Sequence, residues 1–248
     1  MTWSQGGPFV RRTSTLTILI CLASTTLTYA QAREQTVVRD AGIVLSEIMR
    51  VPDRGIPRSL MQEAQAIMIF PSVIKAGFIV GGRRGHGVVL VRNEQGLWGN
   101  PVLLTITGGS FGGQIGVQST DLVLMFRSRR GVDSLMQGRQ LTLGADASVS
   151  AGPVGRTIAA STDTSFRTEI LSWSRSRGLF AGVAVDGSRI AINGNGNSAF
   201  YGVPTPPIDV ILNGQLQALP AAANDLRNQL IQLAPSPQAP MPPPPLPK

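Results

Sequence analysis

The chain has 248 residues, 42% hydrophobic and only 15% charged, which suits one sizeable core and excludes a wholly disordered chain. Its formal charge of +8 comes from arginine at all but two basic positions, Lys75 and Lys248; arginine forks suit a phosphate or carboxylate partner, and GC-rich coding would produce the same bias. One histidine, His86, and one cysteine, Cys21, exclude the common zinc patterns, and a Ser-His-Asp triad would have to use His86.

In chain order, Arg11 and Arg12 precede the apolar run "LTILICLAS" and small-residue sites ending at Ala30 and Ala32. A charged start, a short apolar run and an A-x-A-like end mark a secretory signal peptide. The run is too short to span a bilayer as a stable helix. Residues 1–32 are therefore expected to be removed, taking Cys21 with them. The mature chain is then expected to be secreted or periplasmic and to have no disulfide, and nucleic acid is not an expected partner there.

From Thr36 to Arg50 a helical stripe carries Val37, Val38, Ala41, Val44, Leu45, Ile48 and Met49. Arg39, Asp40, Glu47 and Arg50 lie off it. Such a stripe fits a core-facing helix or a membrane-surface helix, and the polar face carries both charge signs. "PDRGIP" ends this helix, and residues 57–66 read as a second short one with proline in its first turn.

β structure is expected from "AIMIFP" onward. "KAGFIVGG" and "GVVLVR" flank the bend "GRRGHG", which reads as a hairpin with His86 at its exposed tip. The glycine spacing there is not that of a dinucleotide loop, and strand rather than helix follows. "LWGNPVLLTITGG", "FGGQIGVQSTDLVLMF", "QLTLGADASVSAG" and "RTIAASTDT" read as further strands, then "GLFAGVAVDG" and "SRIAING". Between Phe126 and Leu141 one helix is expected, with Val132, Leu135 and Met136 on a common face. Glycines inside strands suit bulges and strong curvature. "AAANDLRNQLIQLA" reads as a terminal helix, and "PSPQAPMPPPPLPK" as an extended polyproline-type tail able to serve as a spacer or to meet a protein partner.

No paired carboxylates or metal-ligand spacing stand out, so no enzyme activity, metal or cofactor is expected. What remains is arginine set beside aromatic residues. "FRSRRG" contains Arg127, Arg129 and Arg130, and "SWSRSRGLFAG" contains Arg175 and Arg177, whose spacing puts both on one face of a strand. Such a segment suits a membrane surface or a strand end at the edge of a core.

The segments "SLMQEAQAIMIFPSVIKAGFIVGGRRGHGVVLVR", "GLWGNPVLLTITGGSFGGQIGVQSTDLVLMF", "GRQLTLGADASVSAGPVGR", "WSRSRGLFAGVAVDGSRI" and "NSAFYG" together resemble, in order and spacing, the SYLF family. This is a lipid-binding domain also described as the yeast-type actin-binding domain. The resemblance implies an α+β, β-dominated fold: N-terminal helices packed on a strongly curved or barrel-like antiparallel sheet, with one inserted helix. It implies no catalysis and implies binding to phosphoinositides or other anionic phospholipids; actin is not expected for a secreted chain. Where many relatives have "YSYSRSKGLF", this chain has "LSWSRSRGLF".

The domain is expected over residues 33–202, with its core match at 60–202. A helical extension over 203–234 and the proline-rich tail over 235–248 follow. The expected headgroup contacts are Arg175 and Arg177 first, then Lys75, Arg83, Arg84, Arg129 and Arg130. Trp173 and Phe180 are expected to enter the membrane interface. The expected partner is an anionic phospholipid membrane of the cell envelope; the alternative is an envelope scaffold that binds through its tail.

Overall fold

The computed structural model describes residues 11–51, 55–78, 80–111, 116–152, 170–176, 179–181, 185–216 and 218–236. The "RTIAASTDT" strand expectation, Arg177 and all but the first residues of the tail lie outside this set. A helix α1 (Arg11–Arg50) and a short α2 (Arg58–Glu63) lead into β1 (Ala66–Phe78), β2 (Val80–Val91), β3 (Val102–Phe111) and β4 (Gly116–Phe126). Helix α3 (Arg130–Met136) precedes β5 (Leu141–Thr142), β6 (Val149–Ala151), β7 (Ile170–Ser176), β8 (Leu179–Ala181) and β9 (Arg189–Ile192). Helices α4 (Gly194–Tyr201), α5 (Ile208–Leu212) and α6 (Ala221–Leu233) follow among the described residues.

All nine strands join one sheet, in the order β5-β9-β3-β2-β1-β4-β7-β6 with β8 added beside β7, and the sheet curls into a half-barrel. Every pairing is antiparallel except β6 with β7. The helical stripe forms as its spacing predicts: Val38, Ala41, Leu45 and Ile48 are fully buried, and Val37 and Met49 pack partly buried against the core. Helix α1 lies across β1 and β2 and packs on α4 and α6, so the stripe faces the core. In α3, Val132 and Leu135 are fully buried as expected.

Half of the sheet is covered on both faces. Ile67, Met68 and Ile69 of β1 and Val88, Val89 and Leu90 of β2 are all fully buried, so alternation between an inner and an outer face disappears there. The other ends of β1 to β4 project past this core. Ile74, Lys75, Ala76, Gly82 and Arg84 are exposed, as are Thr107, Gly109 and Val117 to Ser119.

A bulge in β1 links the two halves. Register against both β2 and β4 shifts between Phe70 and Ile74, where Pro71 and Ser72 add one residue to a central strand. Proline cannot donate to the ladder, and a bulge is where a central strand tolerates it. Ser72 sits in the left-handed region, at φ 57, and its N–H donates to Asp121 Oδ1 at 3.0 Å. The other carboxylate oxygen of Asp121 accepts from Arg175 Nε and a terminal nitrogen, at 3.0 and 2.7 Å. Arg175 also pairs with Glu47 of α1. Four elements thus meet at one guanidinium. Burial would lower the pKa of Arg175, but its bonds and charge contacts with Asp121 and Glu47 outweigh that and raise it.

The segment "GRRGHG" is not a hairpin turn. β2 runs through it, and the hairpin closes beyond, between Phe78 and Val80. The glycines serve close approach instead: a Cβ at Gly87 would lie 2.3 Å from the Ile69 carbonyl oxygen and 2.5 Å from the Phe70 ring. "QLTLGADASVSAG" likewise is not one strand; Gly144, at φ +85, turns the chain between β5 and β6. Helix α4 arises in the glycine-rich "GNGNSAFY" because Asn193 caps it, accepting from Gly196 N–H at 2.9 Å. The buried Asn197 amide then pairs with both backbone groups of Leu103. At the far end of β2, the buried Arg92 donates to the carbonyls of Ala64, Gly96 and Ala234 and lies 4.3 Å from the Trp98 ring centre. That fixes where the tail leaves the domain.

Gly87→Ala should lower unfolding stability by about 3 kcal/mol, the upper range for overpacking, because backbone must move to admit the methyl; chemical denaturation measures it. Arg175 is about a quarter exposed, between a surface pair and a buried one. Arg175→Gln should therefore cost about 2 kcal/mol. A double-mutant cycle with Asp121→Asn should show coupling of about 1 kcal/mol or more, and additive losses would contradict the shared knot.

Candidate functional site

The projecting ends of β1 to β4 carry the candidate site. Lys75 of β1 lies directly opposite Arg83 of β2 and opposite Gln118 of β4. Directly opposed residues share a face, so the two cations stand side by side on one surface of the sheet. Val73, Ile106 and Leu122 lie beneath them and line, with Val185, a cavity of about 110 Å³. Like charges directly opposite each other cost stability. Partial burial lowers the pKa of Arg83, while the charge of Asp186 acts in the opposite sense. Among the described residues, no hydrogen bond or ion pair is found for Lys75.

The opposite surface carries different chemistry. Ile74 pairs with Arg84 and with Ser119, and Ala76 pairs with Val117, so these side chains share the α1 side. Ile74 is 51% and Val117 69% exposed, unusually open for large aliphatic groups in a sheet. Arg84 is exposed, and no ion pair is found for it among the described residues. Glycines pair across the strands beyond, Gly77 opposite Gly81 and Gly116, and Gly82 opposite Gly109. The site therefore has cations on both surfaces and two uncovered aliphatic groups on one.

Seven basic residues expected to act together are not together. Arg129 and Arg130 follow the opposite end of β4, about 26 Å from Gln118 at ~3.3 Å per strand residue. Arg129 is paired there with Asp133 at 3.4 Å. Arg175 is engaged by Asp121 and Glu47 and is not available to a headgroup. Trp173, expected at a membrane interface, is 3% exposed. It is core, opposite the buried Val123 in a stretch where Leu171, Ser172 and Ser174 are buried too. Phe180 is placed by its backbone only, opposite Arg175, and Arg177 lies outside the described residues. Of the expected set, Lys75, Arg83 and Arg84 share one end.

His86 is not at an exposed tip either. It lies within β2, and Arg33 of α1 donates to its Nε2 at 3.0 Å. Burial, then the Arg33 and Arg84 charges, push its pKa down; because a guanidinium can only donate, Nε2 is the acceptor. Its Nδ1 has no partner among the described residues, so no carboxylate orients the ring as a triad would require. Sequence reading missed Ile74 and Val117, which sit in β-branched runs that look like core. The available signal was their company: each is within a residue or two of a polar or glycine position at a strand end.

The family described as "Ysc84: Las17-binding protein actin regulator" matches residues 107–233. Protein YSC84 of Saccharomyces cerevisiae is 39% identical over 177 residues, covering 71% of this chain and 37% of the yeast protein. LAS seventeen-binding protein 3 of the same yeast is 36% identical over 171 residues, 68% of this chain and 37% of its own length. The human SH3 domain-containing YSC84-like protein 1 is 35% identical over 175 residues, 71% of this chain and 50% of the human protein. The chain thus spans between about a third and a half of these relatives. Matched over half its length, and carrying a curled sheet under an N-terminal helix, the chain belongs to the Ysc84 family, the SYLF domain family.

Proposed function

We propose that this protein binds anionic phospholipid at a membrane surface of the cell envelope through the projecting end of its sheet. The observation that carries this reading is the pairing of Lys75 with Arg83, backed on the other surface by Arg84, Ile74 and Val117. A sheet end with cations on both sides and exposed aliphatic groups can enter the headgroup layer edge-on. Its guanidinium and ammonium groups then meet phosphates while Ile74 and Val117 reach the acyl boundary. Each cation near an anionic surface is worth ~1 kcal/mol. The opposed Lys75 and Arg83 are like charges side by side, an arrangement that costs folding stability.

Secretion by way of residues 1–32 is part of the same proposal and would place the domain outside the cytoplasm. Helix α1 is continuous through Ala30 and Ala32, and no helix among the described residues is long and apolar enough to cross a membrane. A second reading, an envelope scaffold acting through the proline-rich tail, has one observation in its favour. Arg92 and Trp98 both donate to the Ala234 carbonyl, so the tail departs from the end of β2 opposite the cationic tip. A tail so placed would extend away from a membrane held at the other end.

Flotation with phosphatidylglycerol-containing vesicles separates these readings. Lys75→Gln should weaken partitioning about fivefold, and Lys75→Gln with Arg84→Gln about 30-fold, from ~1 kcal/mol per charge. Binding should fall steeply as salt rises toward 1 M, where the screening length is ~3 Å. Lys75→Gln should also raise folding stability by a few tenths of a kcal/mol. The folded fraction of Arg175→Gln, and a chain lacking residues 237–248, should float like the parent. Equal recovery with neutral phosphatidylcholine vesicles would reject the lipid reading.

A further inference from the structure

The α1 side of the projecting end holds an open cleft of about 740 Å³ between α1 and the β1–β2 hairpin. That lies within the range of about 300–1,000 Å³ that holds small-molecule ligands. Its wall on the helix is Val37, and on the strand it is Pro71, Ile74 and Ala76. Ala76 is exposed and Ile74 half exposed, so the lining offers aliphatic surface that no other part of the described domain covers. Arg33, Arg83 and Arg84 line the same cleft, against Asp40 as its one carboxylate. His86 lines it too, its pKa lowered first by burial and then by the Arg33 and Arg84 charges.

Two other cavities lack this combination. The one under Lys75 and Arg83 holds about 110 Å³, too little for a long chain. The crevice between α1 and α6, about 310 Å³, is lined by Arg39 and Asp225 and crossed by Gln229, which donates to the Gly42 carbonyl. Its charges cancel and its width is bridged.

We propose that the cleft between α1 and the β1–β2 hairpin takes the aliphatic chain of one single-chain anionic lipid, its phosphate held by Arg84 and Arg33. The arginine fork matches phosphate oxygens in pairs, and the aliphatic wall gives the chain a surface to leave water against. This rests on the anionic-lipid reading, yet it uses the sheet surface opposite Lys75 and Arg83. Arg84 and Ile74 serve both readings, but the cleft needs neither Lys75 nor Val117, so the two can fail separately.

Calorimetric titration of the full chain with 1-myristoyl-lysophosphatidylglycerol, kept below its micelle-forming concentration, tests the proposal. Saturable one-to-one binding is expected, about tenfold weaker in Arg84→Gln and unchanged in Lys75→Gln. Ala76→Trp should fill the cleft and abolish binding while the protein still floats with anionic vesicles. Ile74→Ser, which adds no bulk, should weaken binding. Absence of saturable binding, or binding that survives Ala76→Trp, overturns the proposal. Equal affinity for the phosphatidylcholine lysolipid or for myristate overturns the phosphate assignment. Retained lysolipid binding with no vesicle flotation would support the cleft and remove the bilayer reading alone.

Discussion

The arrangement of this domain turns on one carboxylate. Asp121 accepts the Ser72 N–H with one oxygen and the Arg175 guanidinium with the other, and Arg175 reaches on to Glu47 of α1. Ser72 is a non-glycine residue in the left-handed region, a strained conformation, and the carboxylate gives its N–H a fixed partner there. With it, β1 gains one residue relative to both neighbours. Because side chains alternate with a period of two, that residue exchanges the faces of everything beyond it. Lys75 comes to lie over the surface bearing Val73 and Ile106, and Ile74 toward α1. The chemistry of the projecting end is set by a bulge some residues away from it.

The same knot explains why arginine count is a poor guide to the site. Arg175 is held between two carboxylates and Arg129 beside Asp133, so their charge is spent inside the fold. Arg92 is buried with no carboxylate at all; backbone carbonyls and the Trp98 ring satisfy it, which suits arginine's several donors better than lysine's single charge. Cations gathered at one end do more for an external anion than the same number distributed over opposite poles, since screening erases charge beyond ~10 Å.

Much of the fold was legible in the sequence, and the failures have physical causes. The stripe from Val38 to Ile48 has one period and one buried face, so spacing decided it. Strands β1 to β4 show instead as β-branched runs, because half of the sheet is buried on both faces. The "GRRGHG" segment misled because glycine serves two purposes, tight turning and close approach, and only the neighbouring Ile69 carbonyl and Phe70 ring distinguish them at Gly87. Helix α4 was hidden because its glycines and asparagines have low helix propensity, and its stability comes from the Asn193 cap and from Asn197 pairing with Leu103. In the candidate site, Lys75, Arg83 and Arg84 could be named from sequence. That Arg175 and Trp173 turn inward could not, because their partners lie 54 positions away in Asp121 and across the sheet in Val123.

Magnitudes also limit how such a site could hold a membrane. Three cations at ~1 kcal/mol each give roughly 3 kcal/mol, a partition weaker than that of a single acyl anchor, which is itself marginal. Ile74 and Val117 can add to this, but each already has part of its surface covered, so together they contribute less than two full side-chain burials of ~1.5–3 kcal/mol each. Charge and insertion at the tip therefore support reversible, salt-sensitive contact. Durable attachment would need a further term, and the cleft beside Arg84 is the place in the described domain where acyl surface could supply it. On that reading the bulge at Ser72 matters twice, since it gives one face of β1 to the headgroups and the other to the chain.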